Sequence, residues 1–91
     1  MTDDDIVNQG DAARVLLENP LIVGAFGGFM NEALQNILAS KDDEQDYREK
    51  QFRQMRTYEN VLTDLRSRVE QADQVLAARV NQATQEIEEE D

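Results

Sequence analysis

The chain offers chemistry carboxylates, guanidinium and amine groups and little else. Its 91 residues hold 20 Asp and Glu against 9 Lys and Arg, with no His, Cys or Trp. That inventory removes thiol and imidazole catalysis, disulfides, haem ligation and zinc sites. The densest carboxylate group is Asp42, Asp43, Glu44 and Asp46. A calcium loop needs alternating oxygen ligands, a central Gly and a closing Glu within about twelve residues, and no Gly lies here. Acidic residues opening a helix, where they face the positive end of its dipole, explain the run better. Carboxylates acting as acid and base need a pocket that tunes them, and a thin helical chain predicts none. The expectation is a non-enzyme with no cofactor, metal or small-molecule ligand.

The basic residues are the second candidate. Residues 1–47 carry −8 (2 basic, 10 acidic), residues 48–79 carry +2 (7 basic, 5 acidic) and residues 80–91 carry −5 (0 basic, 5 acidic). Arg48, Lys50, Arg53, Arg56, Arg66 and Arg68 therefore form a possible basic contact face for nucleic acid or an acidic protein surface. Phe52 and Tyr58, beside Arg53 and Arg56, are the aromatics that could stack on bases. The spacing favours a plainer reading. Glu44–Arg48, Asp46–Lys50, Glu49–Arg53 and Asp64–Arg68 are all acid-before-base at i, i+4, as in a solvated helix laced with ion pairs. The net charge of −11 also repels DNA and anionic lipid as a whole.

Helices must position all of these groups. No period-two alternation or Asn-Gly hairpin signal occurs. A first helix is expected to end at Glu18, with Thr2 as cap and Asp3, Asp4 and Asp5 in its first turn, and Gly10-Asp11 splitting it into a loose turn and a short helix. Asn19-Pro20 then caps and opens a second helix over 20–39. Its apolar residues Leu21, Ile22, Ala25, Phe26, Phe29, Met30, Ala33, Leu34, Ile37 and Leu38 make a wide buried face. Gly24, Gly27 and Gly28 mark either a close helix–partner crossing or local flexibility.

Ser40-Lys41 reads as a turn, with Ser40 capping a third helix over 42–88, about 70 Å long if continuous at about 1.5 Å per residue. Met55, Tyr58, Leu62, Leu65, Val69, Ala72 and Leu76 step 3-4-3-4-3-4 along it, the a/d spacing of a coiled-coil seam. Val80, Ala83 and Ile87 follow after a stutter. Phe26 and Phe29 are expected to pack with Phe52 in the hairpin, and the final Glu88–Asp91 to fray. The second helix reaches only the first half of the third, so the seam from about Leu65 to Ile87 is expected to lack a partner within the chain and to need another subunit. The fold expectation is a single all-α domain over 1–91, a helical hairpin with a short N-terminal helix and a long coiled-coil-like C-terminal helix. Its interface residues are Gly24, Gly27 and Gly28 with the seam residues. The longest apolar run, Leu21–Met30, is ten residues against the roughly 20 a bilayer requires, so no membrane partner is expected. With an acidic start in place of a signal peptide, the chain is read as cytoplasmic when made.

Leu17, Asn19-Pro20-Leu21 and Ala25-Phe26, followed by Ser40, Glu44, Asp46, Arg48-Glu49 and Phe52, resemble a group of small helical proteins from tailed bacteriophages. In that group an Asn-Pro-Leu follows a Leu-rich start and precedes Ala-Phe. A Ser opens the turn, an acidic-spaced Arg-Glu follows, and an aromatic comes three residues after that Glu. Met55, Tyr58, Val61, Leu65 and Val69 continue the likeness, which spans about 11–72. Phe52 stands where the group usually has Trp, and Ala72 where it often has Gly, which favours continuous helix there. The group is encoded among head and packaging genes. The resemblance thus implies a virion-assembly role with capsid, portal or other head proteins as partners, in the host cytoplasm during assembly and then in the virion. It carries no catalytic or ligand residues. A DNA-packaging recognition subunit resembling a small terminase, and an acidic DNA mimic that inhibits a host protein, are the alternatives.

Overall fold

The computed structural model describes residues 1–89, with side chains through Ile87. It contains three helices and, among the described residues, no strand: α1 over Asp3–Glu18, α2 over Pro20–Leu38 and α3 over Gln45–Glu89. The molecule is a rod of 73 × 24 × 21 Å. Glu90 and Asp91, half of the run expected to fray, lie outside the described residues.

Local side chain–backbone bonds set the helix ends. Thr2 and Asp5 form a reciprocal capping box, Asp5 N–H donating to Thr2 Oγ1 (3.2 Å) and Thr2 N–H to Asp5 Oδ2 (3.1 Å). Asn19 serves two helices. Its N–H donates to the Leu16 carbonyl at the end of α1, and its Oδ1 accepts from Leu21 N–H at the start of α2. With Pro20 in the first turn of α2 and Asn19 extended at φ −79°, ψ 111°, the chain is broken here without being reversed. The structure corrects two helix starts. α1 is unbroken through Gly10. α3 opens at Gln45, because Ser40 donates its hydroxyl to the Ile37 carbonyl (2.6 Å) and closes α2 instead. The reversal spans residues 39–44, where Lys41 N–H donates to Glu44 Oε1 (3.0 Å). Arg48 reaches back to Ser40 Oγ and to the Lys41 and Asp42 carbonyls.

Cross-helix contacts run antiparallel from Gln51 to Arg79 of α3. Asp4 meets Arg79, Gly10 meets Ala72, Phe26 and Phe29 meet Tyr58, and Asn36 meets Gln51. α1 and α2 therefore lie end to end as one interrupted arm of the hairpin, opposite the continuous α3. The expectation that the seam beyond Leu65 lacks an internal partner is overturned over most of its length: α1 packs closely on α3 down to Arg79. Only residues 80–89 project past the start of α1, and Val80 and Ile87 there are exposed.

The core is a seam one side chain deep. Ala13, Ala33 and Ala72 are the buried apolar side chains, each 2–3% exposed, and no large side chain is fully buried among the described residues. Gly10 lets α1 approach α3: a Cβ there would lie 2.2 Å from Ala72 Cβ and 2.9 Å from the Arg68 carbonyl oxygen. Tyr58 fills the α2 half between Phe26 (edge-to-face, 6.0 Å) and Phe29 (stacked, 5.4 Å). The expectation that Phe52 packs with Phe26 and Phe29 is overturned: it does not join them and is 57% exposed. The seam runs through Gln51 and Met55, which puts Phe52 about 100° round the helix from Gln51.

Candidate functional site

Met55, Tyr58, Leu62, Leu65 and Val69 are half-buried and Ala72 buried, all along the line where α3 meets α1 and α2. They hold the hairpin together and are not a free surface for another subunit. Leu76, 40% exposed, sits at the edge of that line. Gly24, Gly27 and Gly28 are different: each is exposed with nothing within 4 Å of a Cβ position. No close crossing occurs at them within the chain. The glycine that permits one is Gly10, which belongs to the α1 series Ile6, Gly10, Ala13 and Leu17. That 4-3-4 spacing was the readable signal that α1 has a seam of its own.

The basic face is divided. Arg48 is half-buried and committed to the turn. Arg68 is half-buried, paired with Asp64 (2.8 Å) and donating to Gln9 of α1 (2.7 Å). Lys50, Arg53, Arg56 and Arg66 remain exposed, and none forms an ion pair among the described residues. Of the four i, i+4 pairs expected on α3, only Asp64–Arg68 closes. The other ion pairs, Arg14–Asp73 and Arg79–Asp4 (2.7 Å each), tie α1 to α3.

Two concavities occur in the α2–α3 half. One, about 210 Å³, lies between the helices and is lined by Phe29, Glu32, Ala33, Asn36, Gln51, Gln54 and Tyr58. Asn36 Nδ2 donates to Gln51 Oε1 (3.2 Å) there, satisfying an amide that is only 7% exposed. The other, about 400 Å³, runs along the opposite flank of α3 beside Phe52, Met55, Arg53 and Arg56, with Glu49 and Glu59 at its ends. Neither holds three carboxylates, and no group of three or more metal-ligating side chains is assembled among the described residues. No described helix is long and apolar enough to cross a membrane.

What distinguishes this half is an apolar ridge outside the seam. Val23, Gly27, Met30, Leu34 and Leu38 follow one another at 4-3-4-4 along α2. Val23 is 44% exposed, Leu34 41% and Leu38 70%. Ile22, Phe26 and Ala33 face the seam, and Glu32 and Asn36 line the smaller concavity on one side. On a helix of 3.6 residues per turn, the ridge then falls on the other side, flanking the larger concavity with Phe52. This surface can bury apolar side chains against a helical partner, with charged groups along its border. Comparisons with protein-family models, with curated proteins and with solved structures found no match to this chain.

Proposed function

We propose that the chain is a non-enzymatic assembly protein that works by self-association and protein contacts. The carrying observation is the hairpin's unfinished core. No large side chain is fully buried among the described residues, and α2 keeps a second apolar ridge uncovered beside exposed Phe52. A helical rod of this size buries little surface on folding, and association is the usual remedy. The likeness to small helical proteins of phage head and packaging genes supports a role in virion assembly, with capsid, portal or another head protein as the further partner. Such a chain would act in the host cytoplasm and enter the virion. Commitment of Arg48 and Arg68 inside the chain leaves a DNA-recognition role four cations, against a whole-molecule charge of −11.

The test is the absolute mass by light scattering over a concentration series. The expected result is a multiple of 10.4 kDa that persists to low micromolar protein. A 10.4 kDa species at every concentration overturns the self-association reading.

A further inference from the structure

We propose that two copies of this chain dock through the ridge side of the α2–α3 half. The contact is isologous, its two-fold axis passes close to Phe52, and Glu49 of each copy lies opposite Arg56 of the other. This rests on the self-association reading and adds its surface and symmetry.

Charge selects the surface. Two molecules of net −11 repel, most strongly through the acidic first half and C-terminal end. α2 contributes one charged residue, Glu32, which lines the concavity on the other side. On the ridge side α3 supplies Glu49, Arg53, Arg56 and Glu59, which cancel. A neutral, apolar side on an acidic rod suits a second copy of itself. A strongly basic partner would be drawn to the acidic ends instead.

The order of these charges selects the symmetry. Glu49, Phe52, Arg56 and Glu59 follow one another at 3-4-3, so they form one ridge on α3. A two-fold axis midway between positions 49 and 56 passes between residues 52 and 53. It lays Glu49 of each copy across from Arg56 of the other, sets Glu59 level with Asp46 at the ends of the contact, and brings the two exposed Phe52 rings together. In the hairpin register Leu34 lies level with Phe52, so the same axis gathers Met30, Leu34 and Leu38 of both copies round the rings. An axis centred on position 54 would instead set Glu49 against Glu59. Both charges are available: within the chain Glu49 only accepts from Gln45 Nε2 at 3.5 Å, and Arg56 forms no ion pair among the described residues.

The experiment measures self-association of the full chain by sedimentation equilibrium at low salt, for wild type, Glu49→Arg, Arg56→Glu and the double variant. Each single reversal places like charges together twice per dimer and is expected to weaken association about tenfold or more. The double variant restores opposite pairs and should return to within about threefold of wild type. Leu34→Asp, on the exposed ridge and 41% exposed, should abolish association while far-UV circular dichroism stays helical. Wild-type association that neither reversal nor Leu34→Asp disturbs overturns this surface and leaves self-association standing. A double variant at least as weak as the singles overturns the pairing. A wild type monomeric at all concentrations overturns both readings.

Discussion

The two halves of α3 are served by different neighbours. Against α1, the helix is met by Gly10 and Ala13, by ion pairs from Arg14 and Asp4, and by the amide of Gln9. Small residues bring the backbones together, and polar groups close the rim. Against α2, the helix is met by Phe26 and Phe29, and much apolar surface on the far side of α2 stays exposed. Glycine marks the difference: in α1 it is where helices touch, and in α2 Gly24, Gly27 and Gly28 face open space. A closely approached pair with a polar rim is finished within one chain. A pair held apart by aromatic rings, with a second apolar ridge behind it, is half of a larger core.

The sharpest way to break this comparison is to make one substitution in both halves. Gly10→Ala drives a methyl into Ala72 and the Arg68 carbonyl, backbone that cannot swing aside. Overpacking of this kind is expected to cost about 2 kcal/mol. Gly24→Ala meets nothing within 4 Å and should stabilise by about 0.5–1 kcal/mol through helix propensity. Denaturant midpoints at one fixed protomer concentration give both values, since association shifts apparent stability. If both variants stabilise, the α1–α3 approach is looser than described and the contrast between the halves fails.

A second test addresses the α2 half, where a polar layer interrupts the apolar seam. Asn36→Ala leaves the nearly buried Gln51 amide without its partner and should cost about 1–2 kcal/mol. Replacing both with Leu removes the polar pair and should recover that loss or exceed it. The price is register, because one buried polar pair fixes which residues face each other. The double variant is therefore expected to show broader thermal unfolding or altered oligomer mass. A double variant as unstable as Asn36→Ala would mean that packing volume, and not the hydrogen bond, governs the site.

Much of this architecture was legible in the sequence. Thr2, Asn19 and Pro20 act on backbone groups within three residues of themselves, so type and spacing suffice to locate the helix ends they control. Ser40 is ambiguous by type, because the same hydroxyl can cap forwards or close backwards, and in the fold it donates to the Ile37 carbonyl. The a/d line from Met55 to Ala72 was also legible, but a stripe states that it is covered without naming the cover. A split of α1 at Gly10-Asp11 leaves no helix long enough to supply it. In the fold Gly10 is a point of close contact with Ala72, and Asn19 keeps α1 running on along α3. The ridge of Val23, Met30, Leu34 and Leu38 was hidden in the wide apolar face of α2. Composition alone does not divide such a face between the hairpin seam and a second surface.

The smallest expected effect concerns the ion pairs that close the α1 half. Arg79→Ala removes the bond to Asp4 at the open end of the hairpin, where both side chains are well exposed. Exposed pairs of this sort contribute about 0–1 kcal/mol and weaken as salt rises, so stability in denaturant should fall by less than about 0.5 kcal/mol. Local opening is the more sensitive readout. Amide hydrogens of the first two turns of α1 should exchange severalfold faster in Arg79→Ala, while those around Gly10 and Ala13 keep their protection. Equal acceleration throughout α1 would show that the ion pair, and not the small-residue contact at Ala72, is what fastens this helix. The distinction between a half sealed by packing and a half awaiting a partner would then have to be redrawn.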